Sequence, residues 1–600
     1  MNIFNKTFIC FFQKPVSSRC TTFAQDDILK PLYFYKSLLL FCVFFSILKA
    51  SETNFIDLLH VQPGERDLVE QVCSKMSLEQ KIGQLFMPRC NAGSLVDNED
   101  QIRKFIQDFH IGGVIFMTSD AKKQIELTNE FQKLSELPLL IGIDAENGIA
   151  MRHVNLPGLP QQLMLGALED NSLVRKYGCE VARQCSLLGV HVNFAPVADV
   201  NNNPLNPIIG NRSFGESVVN VTRKSIAYMQ GLHEGGVLAC FKHFPGHGDT
   251  NADSHSTLPI ITHDRKRLDE IELMPFKEGV KAGVAAVMMA HLHVPALDDT
   301  ERLPASLSKK IVTGLLQKEL GFKGLIFTDG LKMKGVQEFY TEPGQAECEA
   351  FKADNHILLD PAFLEEAFLK IKEAVQQDKA LARLLELTVR KILHFKYCLG
   401  LPLNHHDITT ENLESNLINQ EFYDLKKEII ENALTYVGND QDVFKRLNGN
   451  VKKHMNGENI KSVALVNVNP VEATVFQSFF MSAGIDTFRL EDSISENNLA
   501  AMLEQLKDYE HVIIAVHNMN RNGTKRFGVL ESTQNSIQTI VHQKPENSIV
   551  VLFGTPYAAH YFKECPHIII AYNADPVTQD ITAQKVLSGA SFLGVLPVSL

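Results

Sequence analysis

The fourteen residues Lys242–His255, KHFPGHGDTNADSH, gather three His, two Asp and one Lys among the turn residues Pro245, Gly246 and Gly248. They follow an apolar run, Gly236–Phe241, with the composition of a short buried strand. Titratable groups just past a rigid strand are well placed for proton transfer or for gripping a polar ligand; the structural alternative is a polar turn with scattered histidines. Asp253 and His255 are two residues apart, so on a turn the carboxylate can orient the imidazole. An imidazole oriented in this way both gives and takes a proton near neutral pH. A second candidate is Asp329 in GLIFTDGLKM, which ends an apolar run beside Gly330, where backbone can approach a ligand closely. Its structural alternative is an aspartate capping the following helix. His243, His247, Asp249, Asp253 and His255 also offer metal-ligand atom types, although the Pro-Gly punctuation and Lys242 do not help ligation.

These groups need a scaffold, and the apolar pattern supplies one. Strand-like runs fall near Gln84–Met87, Gly113–Met117, Leu139–Ile143, Val192–Pro196, Leu238–Phe241, Ala286–Ala290, Leu325–Phe327 and Ile357–Leu359, with helical stretches such as Ile125–Leu134 and Lys309–Leu320 between them. Strand–helix alternation predicts a parallel sheet, and eight repeats predict a (β/α)8 TIM-type barrel with active groups just past the strand ends. Asp144, Asp199, Lys242–His255, His291 and Asp329 all obey that rule. Further runs at Val463–Val468, Val512–Val516, Ile549–Phe553 and Ile568–Ala571 predict a smaller α/β sandwich domain. The expected organisation is a targeting segment over 1–50, a catalytic barrel over 51–400, a linker with a helical part over 401–461, and the α/β sandwich over 462–600.

Six hundred residues exceed one ordinary domain, and 45% apolar with 21% charged residues is a globular composition. A net charge of −12 offers no reason to expect a nucleic acid or an anionic membrane as partner. Eleven Cys lack CxxC spacing, and Cys179, Cys185 and Cys240 lie inside apolar runs as buried thiols would. Trp is absent, so stacking against a ring falls to Phe, Tyr or His. The apolar stretch Ser37–Leu48, flanked by Lys30, Lys36 and Lys49, is short for a membrane span and suits the core of an export signal. Export, to the periplasm or as a membrane-anchored form, is the expectation; if the segment is a buried element instead, the chain is cytoplasmic.

KHFPGHGDT followed by DSH resembles the signature loop of bacterial β-N-acetylglucosaminidases in glycoside hydrolase family 3. The likeness runs from MSLEQKIGQLFM, at Met76, to about Leu401 and returns in the closing SGASFLGVLPVSL. It implies that Asp329 is the nucleophile, and that His255, oriented by Asp253, is the general acid/base. It further implies that Asp144, Arg152, Arg212, Lys242 and His243 hold the sugar. The implied substrate is a terminal β-linked N-acetylglucosamine, by family likeness on a peptidoglycan fragment, with no metal or organic cofactor. Three departures bear on preference: Glu146–Ile149 stands where EGGR is usual, Asn211 replaces an Asp, and Asp354–His356 departs from AG(N/T)D. Transfer to phosphate, a metal-dependent hydrolysis and a non-catalytic carbohydrate-binding role remain the competing readings.

Overall fold

A computed structural model describes residues 63–92, 97–117, 120–250, 257–401, 407–456, 461–470 and 472–599. The described residues all belong to one compact unit, Asn54–Leu600. The apolar stretch Ser37–Leu48 lies outside them, as do Asp253 and His255. Among the described residues no helix is long and apolar enough to cross a membrane.

The first part of the chain folds into nine short strands: β1 (Phe86–Met87), β2 (Arg89–Cys90), β3 (Gly113–Phe116), β4 (Leu140–Ile143), β5 (Val192–Asn193), β6 (Leu238–Phe244), β7 (Ala286–Met289), β8 (Leu325–Thr328) and β9 (Leu358–Leu359). Strands β2 to β8 form one curled, wholly parallel sheet in sequence order. β1 and β9 pair in parallel as a separate ladder, and a single bridge joins Phe327 to Ile357. β3, β4, β6, β7 and β8 are buried at every position. This is why they read in the sequence as continuous apolar runs: a parallel sheet is covered on both faces.

Helices lie between the strands, and their starts are set by local capping. Asp170 accepts from the Ser172 amide to open the helix Asn171–Leu187, and Ser217 accepts from the Asn220 amide to open Val218–Glu234. A side-chain oxygen on an otherwise orphaned amide stabilises a helix start by about 1 kcal/mol. β6 runs three residues further than the apolar pattern indicates. Lys242 and His243 therefore stand on the strand itself, and only the residues beyond Phe244 are loop.

The second sheet contains β10 (Thr435–Gly438), β11 (Val463–Val468), β12 (Asp486–Leu490), β13 (His511–Val516), β14 (Ser548–Leu552) and β15 (His567–Ile570). Their order is β10-β15-β14-β13-β11-β12, with only β10 antiparallel to its neighbour. β10 lies within the 401–461 segment expected to be a linker, so this sheet draws its first strand from upstream of residue 462. The sheet also closes back on the first part of the chain: the Val595 amide donates to Ala167 at 2.9 Å, and the Glu216 amide donates to Pro597 at 3.2 Å. Among the described residues every Cys is a free thiol; Cys185 and Cys240 are buried, whereas Cys179 is only partly covered.

Candidate active site

The carboxyl ends of β4, β6 and β8 surround a cleft of about 380 Å³. Asp144, Glu146, Arg152, Arg212, Lys242, His243 and Asp329 all line it. The position of Asp144 and Glu146 is set by the residue between them. Asn193, at the end of β5, accepts from the Ala145 amide at 2.9 Å and donates to the Ala145 carbonyl at 3.1 Å. The buried Tyr228 hydroxyl donates to the Glu146 carbonyl at 3.1 Å. A backbone clamped on both sides presents its side chains in one direction, as a binding site requires.

Those side chains form a charged network. Lys242 Nζ lies 2.8 Å from Asp144 Oδ1 and 2.7 Å from Glu146 Oε1, and Lys242 is only 2% exposed. Arg152 donates to the other oxygen of Asp144. Arg212 grips Glu146 with two nitrogens, Nη2 at 2.7 Å and Nε at 3.0 Å. Burial alone would raise both acids, but the neighbouring cations overcome it. Lys242 and Arg152 hold Asp144 far below its ordinary value, and Arg212 with Lys242 brings Glu146 down to about 2. Both are carboxylates at any physiological pH.

His243 is oriented by a residue to which the sequence reading assigned no role. The buried Asp199 contacts His243 Nδ1 at 2.7 Å and accepts from the backbone amides of His243, at 3.1 Å, and His247, at 2.7 Å. Burial opposes the ionised Asp199, and the charge and hydrogen bond of His243 outweigh it. The other ring nitrogen of His243 lies 3.4 Å from Arg212. Asp329 stands at the end of β8, where its Oδ1 accepts from the Gly330 amide at 2.7 Å. Among the described residues that is its only side-chain hydrogen bond. Burial would raise its pKa, but the charges of His243 and His291 and the Gly330 amide lower it. Asp329 is therefore ionised and lightly held, the state a nucleophile needs.

The loop after β6 is fastened to the cleft wall as far as Thr250. Asn206 donates to the carbonyls of His247, at 2.9 Å, and Gly248, at 3.1 Å, and Asn203 donates to the Thr250 carbonyl at 3.1 Å. Gly246 has φ +124°, and a Cβ there would meet Glu272 Cβ at 2.8 Å, so the turn requires glycine. Of the groups read as possible metal ligands, the three that are described, His243, His247 and Asp249, take separate partners. His243 turns to Asp199, His247 contacts Thr250 at 2.9 Å, and Asp249 contacts His263 at 2.7 Å. Asp249, His263 and Glu272 do converge, but the Arg267 guanidinium lies 3.2 Å from Glu272 and 3.7 Å from Asp249. A fixed cation between the carboxylates makes this an ion-pair network and disfavours a divalent ion.

The structure thus brings Asp144, Arg152, Arg212, Lys242, His243 and Asp329 into one cleft. Sequence reasoning missed Glu146, treated only as a departure from a motif, although its place two residues after Asp144 was a usable signal. It also missed Arg89 and Asp360, a pair at 2.7 Å in the cleft wall, for which no local pattern exists. The apolar lining is Met117, Met151, Met288 and Met333 with Pro207, Ile and Leu, so among the described residues His243 and His247 are its only aromatic rings. Asp354, Asn355 and His356 serve the scaffold instead: His356 accepts from the Ile326 amide at 2.9 Å, and Asn355 donates to Ser306 at 2.7 Å.

A polar cleft of ionised carboxylates and cations at the carboxyl end of a curled parallel sheet is where enzymes of this architecture hold their substrates. Residues 77–395 match the family described as "Glycosyl hydrolase family 3 N terminal domain". Beta-hexosaminidase A of Pseudoalteromonas piscicida is 28% identical over 545 residues, covering 83% of this chain and 89% of that one. A beta-hexosaminidase of Neisseria meningitidis is 34% identical over 248 residues, 40% of this chain and 68% of that one. The solved structure of a glycoside hydrolase family 3 beta-N-acetylglucosaminidase from Paenibacillus sp. superposes with a TM-score of 0.70 at 28% identity, covering 87% of this chain and 99% of that one. The chain belongs to glycosyl hydrolase family 3.

Proposed function

We propose that this family 3 hydrolase, of the β-hexosaminidase type, removes terminal β-linked N-acetylglucosamine with retention of configuration. The observation that carries this reading is the pairing of a lightly held, ionised Asp329 with a cleft whose other charges are already neutralised by one another. Asp329 attacks the anomeric carbon and forms a covalent glycosyl-enzyme. His255, oriented by Asp253, protonates the leaving oxygen and then takes a proton from the attacking water. The loop that carries this dyad starts at the cleft wall, at His247–Thr250. A histidine in this role avoids a second carboxylate about 5 Å from the nucleophile, the usual arrangement in retaining enzymes.

Asp144, Arg152, Lys242, His243 and Arg212 supply the directional hydrogen bonds that neutral hydroxyls need in a water-poor cleft. The resemblance of the KHFPGHGDT…DSH loop to the family's β-N-acetylglucosaminidases supports a peptidoglycan fragment as substrate, with N-acetylglucosamine linked to 1,6-anhydro-N-acetylmuramic acid. The scaffold we read as a closed (β/α)8 barrel, supported by the Phe327–Ile357 bridge and the β1–β9 ladder between the ends of the curled sheet. Export fits a substrate of this kind and the apolar stretch Ser37–Leu48.

The test is nitrophenol release from the β-N-acetylglucosaminide and the β-glucoside by wild type, Asp329→Ala and His255→Ala, with and without phosphate and chelator. Turnover of the first substrate, lost in both variants and indifferent to chelator, is the expected result. A sugar phosphate as main product would make the enzyme a phosphorylase. Wild-type turnover of neither substrate would overturn the reading.

A further inference from the structure

The loop between β13 and the helix Glu531–Gln543 belongs to the second sheet yet packs on the segment that runs into the cleft lining at Pro207 and Ile208. It is a firmly held loop. The Asn520 amide donates to Phe527 at 2.9 Å, the Phe527 amide donates to Asn522 at 3.0 Å, and the Asn522 side chain accepts from the Thr524 amide at 2.9 Å. Buried Phe527 stacks on Tyr557 at a centroid distance of 6.1 Å. Gly523 presses on the loop that lines the cleft: a Cβ there would lie 3.1 Å from Leu205 and 3.4 Å from the Pro204 carbonyl. Two residues before it stands Arg521.

Arg521 is exposed and makes no ion pair with a carboxylate among the described residues. With the Gln161 amide turned so that its oxygen faces the guanidinium, both Nη2 and Nη1 donate to it, Nη1 at 2.9 Å. Those hydrogen bonds fix Arg521 beside the helix Gln162–Gly166, which packs on the turn Gly210–Arg212. The charges of Glu146 and Arg212, both in the cleft wall, act on Arg521. Inside the cleft each of these cations is paired with an acid, the two carboxylates being shared: Lys242 lies on Asp144 and Glu146, Arg152 on Asp144, and Arg212 on Glu146. Arg521 is the exception: among the described residues it is a guanidinium without a carboxylate partner, held beside the helix that packs on the turn carrying Arg212. In a chain of net charge −12, an acidic ligand is repelled overall and needs a local cation to be recognised.

We propose that Arg521 reads a carboxylate on the leaving-group side of the substrate, so that the second sheet domain sets a preference for an acidic aglycone. The inference rests on the reading of the cleft as an N-acetylglucosaminidase site and names the feature of the substrate that lies beyond that sugar. The sugar is held by the neutralised floor, and what emerges past it meets the rim. With both Nη atoms turned to Gln161, the planar guanidinium offers its Nε–Nη2 edge to a carboxylate.

The experiment compares N-acetylglucosaminyl-β-1,4-N-acetylmuramic acid with its methyl ester, which keeps the shape and removes the charge. The readout is the ratio of kcat/KM for the acid to that for the ester. In wild type the acid is favoured by roughly tenfold or more, the size of one charge-assisted hydrogen bond. In Arg521→Ala the ratio falls towards one, and in Arg521→Lys it is intermediate, with melting temperatures confirming that both variants fold. A wild-type ratio at or below one, or an unchanged ratio in Arg521→Ala, overturns this inference and leaves the glycosidase reading intact. Release of no N-acetylglucosamine from either compound, or from the aryl glycoside, overturns both.

Discussion

Lys242 is the residue on which the cleft turns. It is buried between Asp144 and Glu146, so its replacement takes one of two cations from each carboxylate and leaves only Arg152 on Asp144 and Arg212 on Glu146. Removing one partner of a buried ion pair costs about 3–5 kcal/mol. Lys242→Met is therefore expected to lower the melting temperature and to reduce kcat/KM at least a hundredfold, measured by calorimetry and aryl glycoside hydrolysis. The same network sets an acid limit. Glu146 is held at about 2 against an ordinary 4.5, so its stabilisation is complete above its unfolded pKa and is lost as the pH falls through its folded one. Denaturant unfolding followed from pH 5 to 2 should show stability falling steadily, with a shallower fall in Glu146→Gln. At this scale the sequence disclosed residues whose type is costly to place, such as Asp329 after an apolar run. It hid those whose value lies in a partner far along the chain. Asp199 is 44 positions from His243, and no spacing rule links the two.

At the scale of elements, legibility followed burial. β11, β13 and β14 are covered at every position and were plain as apolar runs, whereas β10 and β12, at the two edges of their sheet, alternate or face solvent and escaped notice. The same logic hid the end of β6. Lys242 and His243 are buried there only because ion pairs and Asp199 satisfy them, so polarity marked as loop what is strand. The turn that follows is constrained by Gly246. Gly246→Ala should cost about 1–3 kcal/mol, because it combines a positive φ with a clash against Glu272. As the turn leads to the residues carrying Asp253 and His255, kcat should fall more than KM rises, which steady-state kinetics on the aryl glycoside will show.

For the molecule as a whole, the two sheets are joined at the active site and not merely tethered. The Tyr557 hydroxyl accepts from Asn201 Nδ2 at 2.6 Å, and the same Asn201 accepts from the Gly210 amide at 3.1 Å, in the turn that carries Arg212. Tyr557→Phe breaks this relay. The expected result is a loss of about 1 kcal/mol in stability and faster amide exchange at Gly210–Ser213, with a rise in KM for the aryl glycoside. Sequence periodicity could forecast two α/β parts but not this joint, since a hydrogen bond between residues 356 apart leaves no local trace.

The neutralised floor of the cleft has one more consequence, which concerns ionic strength. Mobile ions screen exposed charges over about 8–10 Å but scarcely reach pairs closed off from solvent. Lys242 and Glu146 form such a pair, flanked by the partly covered Asp144 and Arg212, and their attraction was settled when the chain folded. Hydrolysis of an uncharged N-acetylglucosaminide should therefore change less than twofold between 20 mM and 500 mM sodium chloride, an interval over which the Debye length falls about fivefold. A cleft dense with charge would thus behave, towards a neutral sugar, as though it carried almost none.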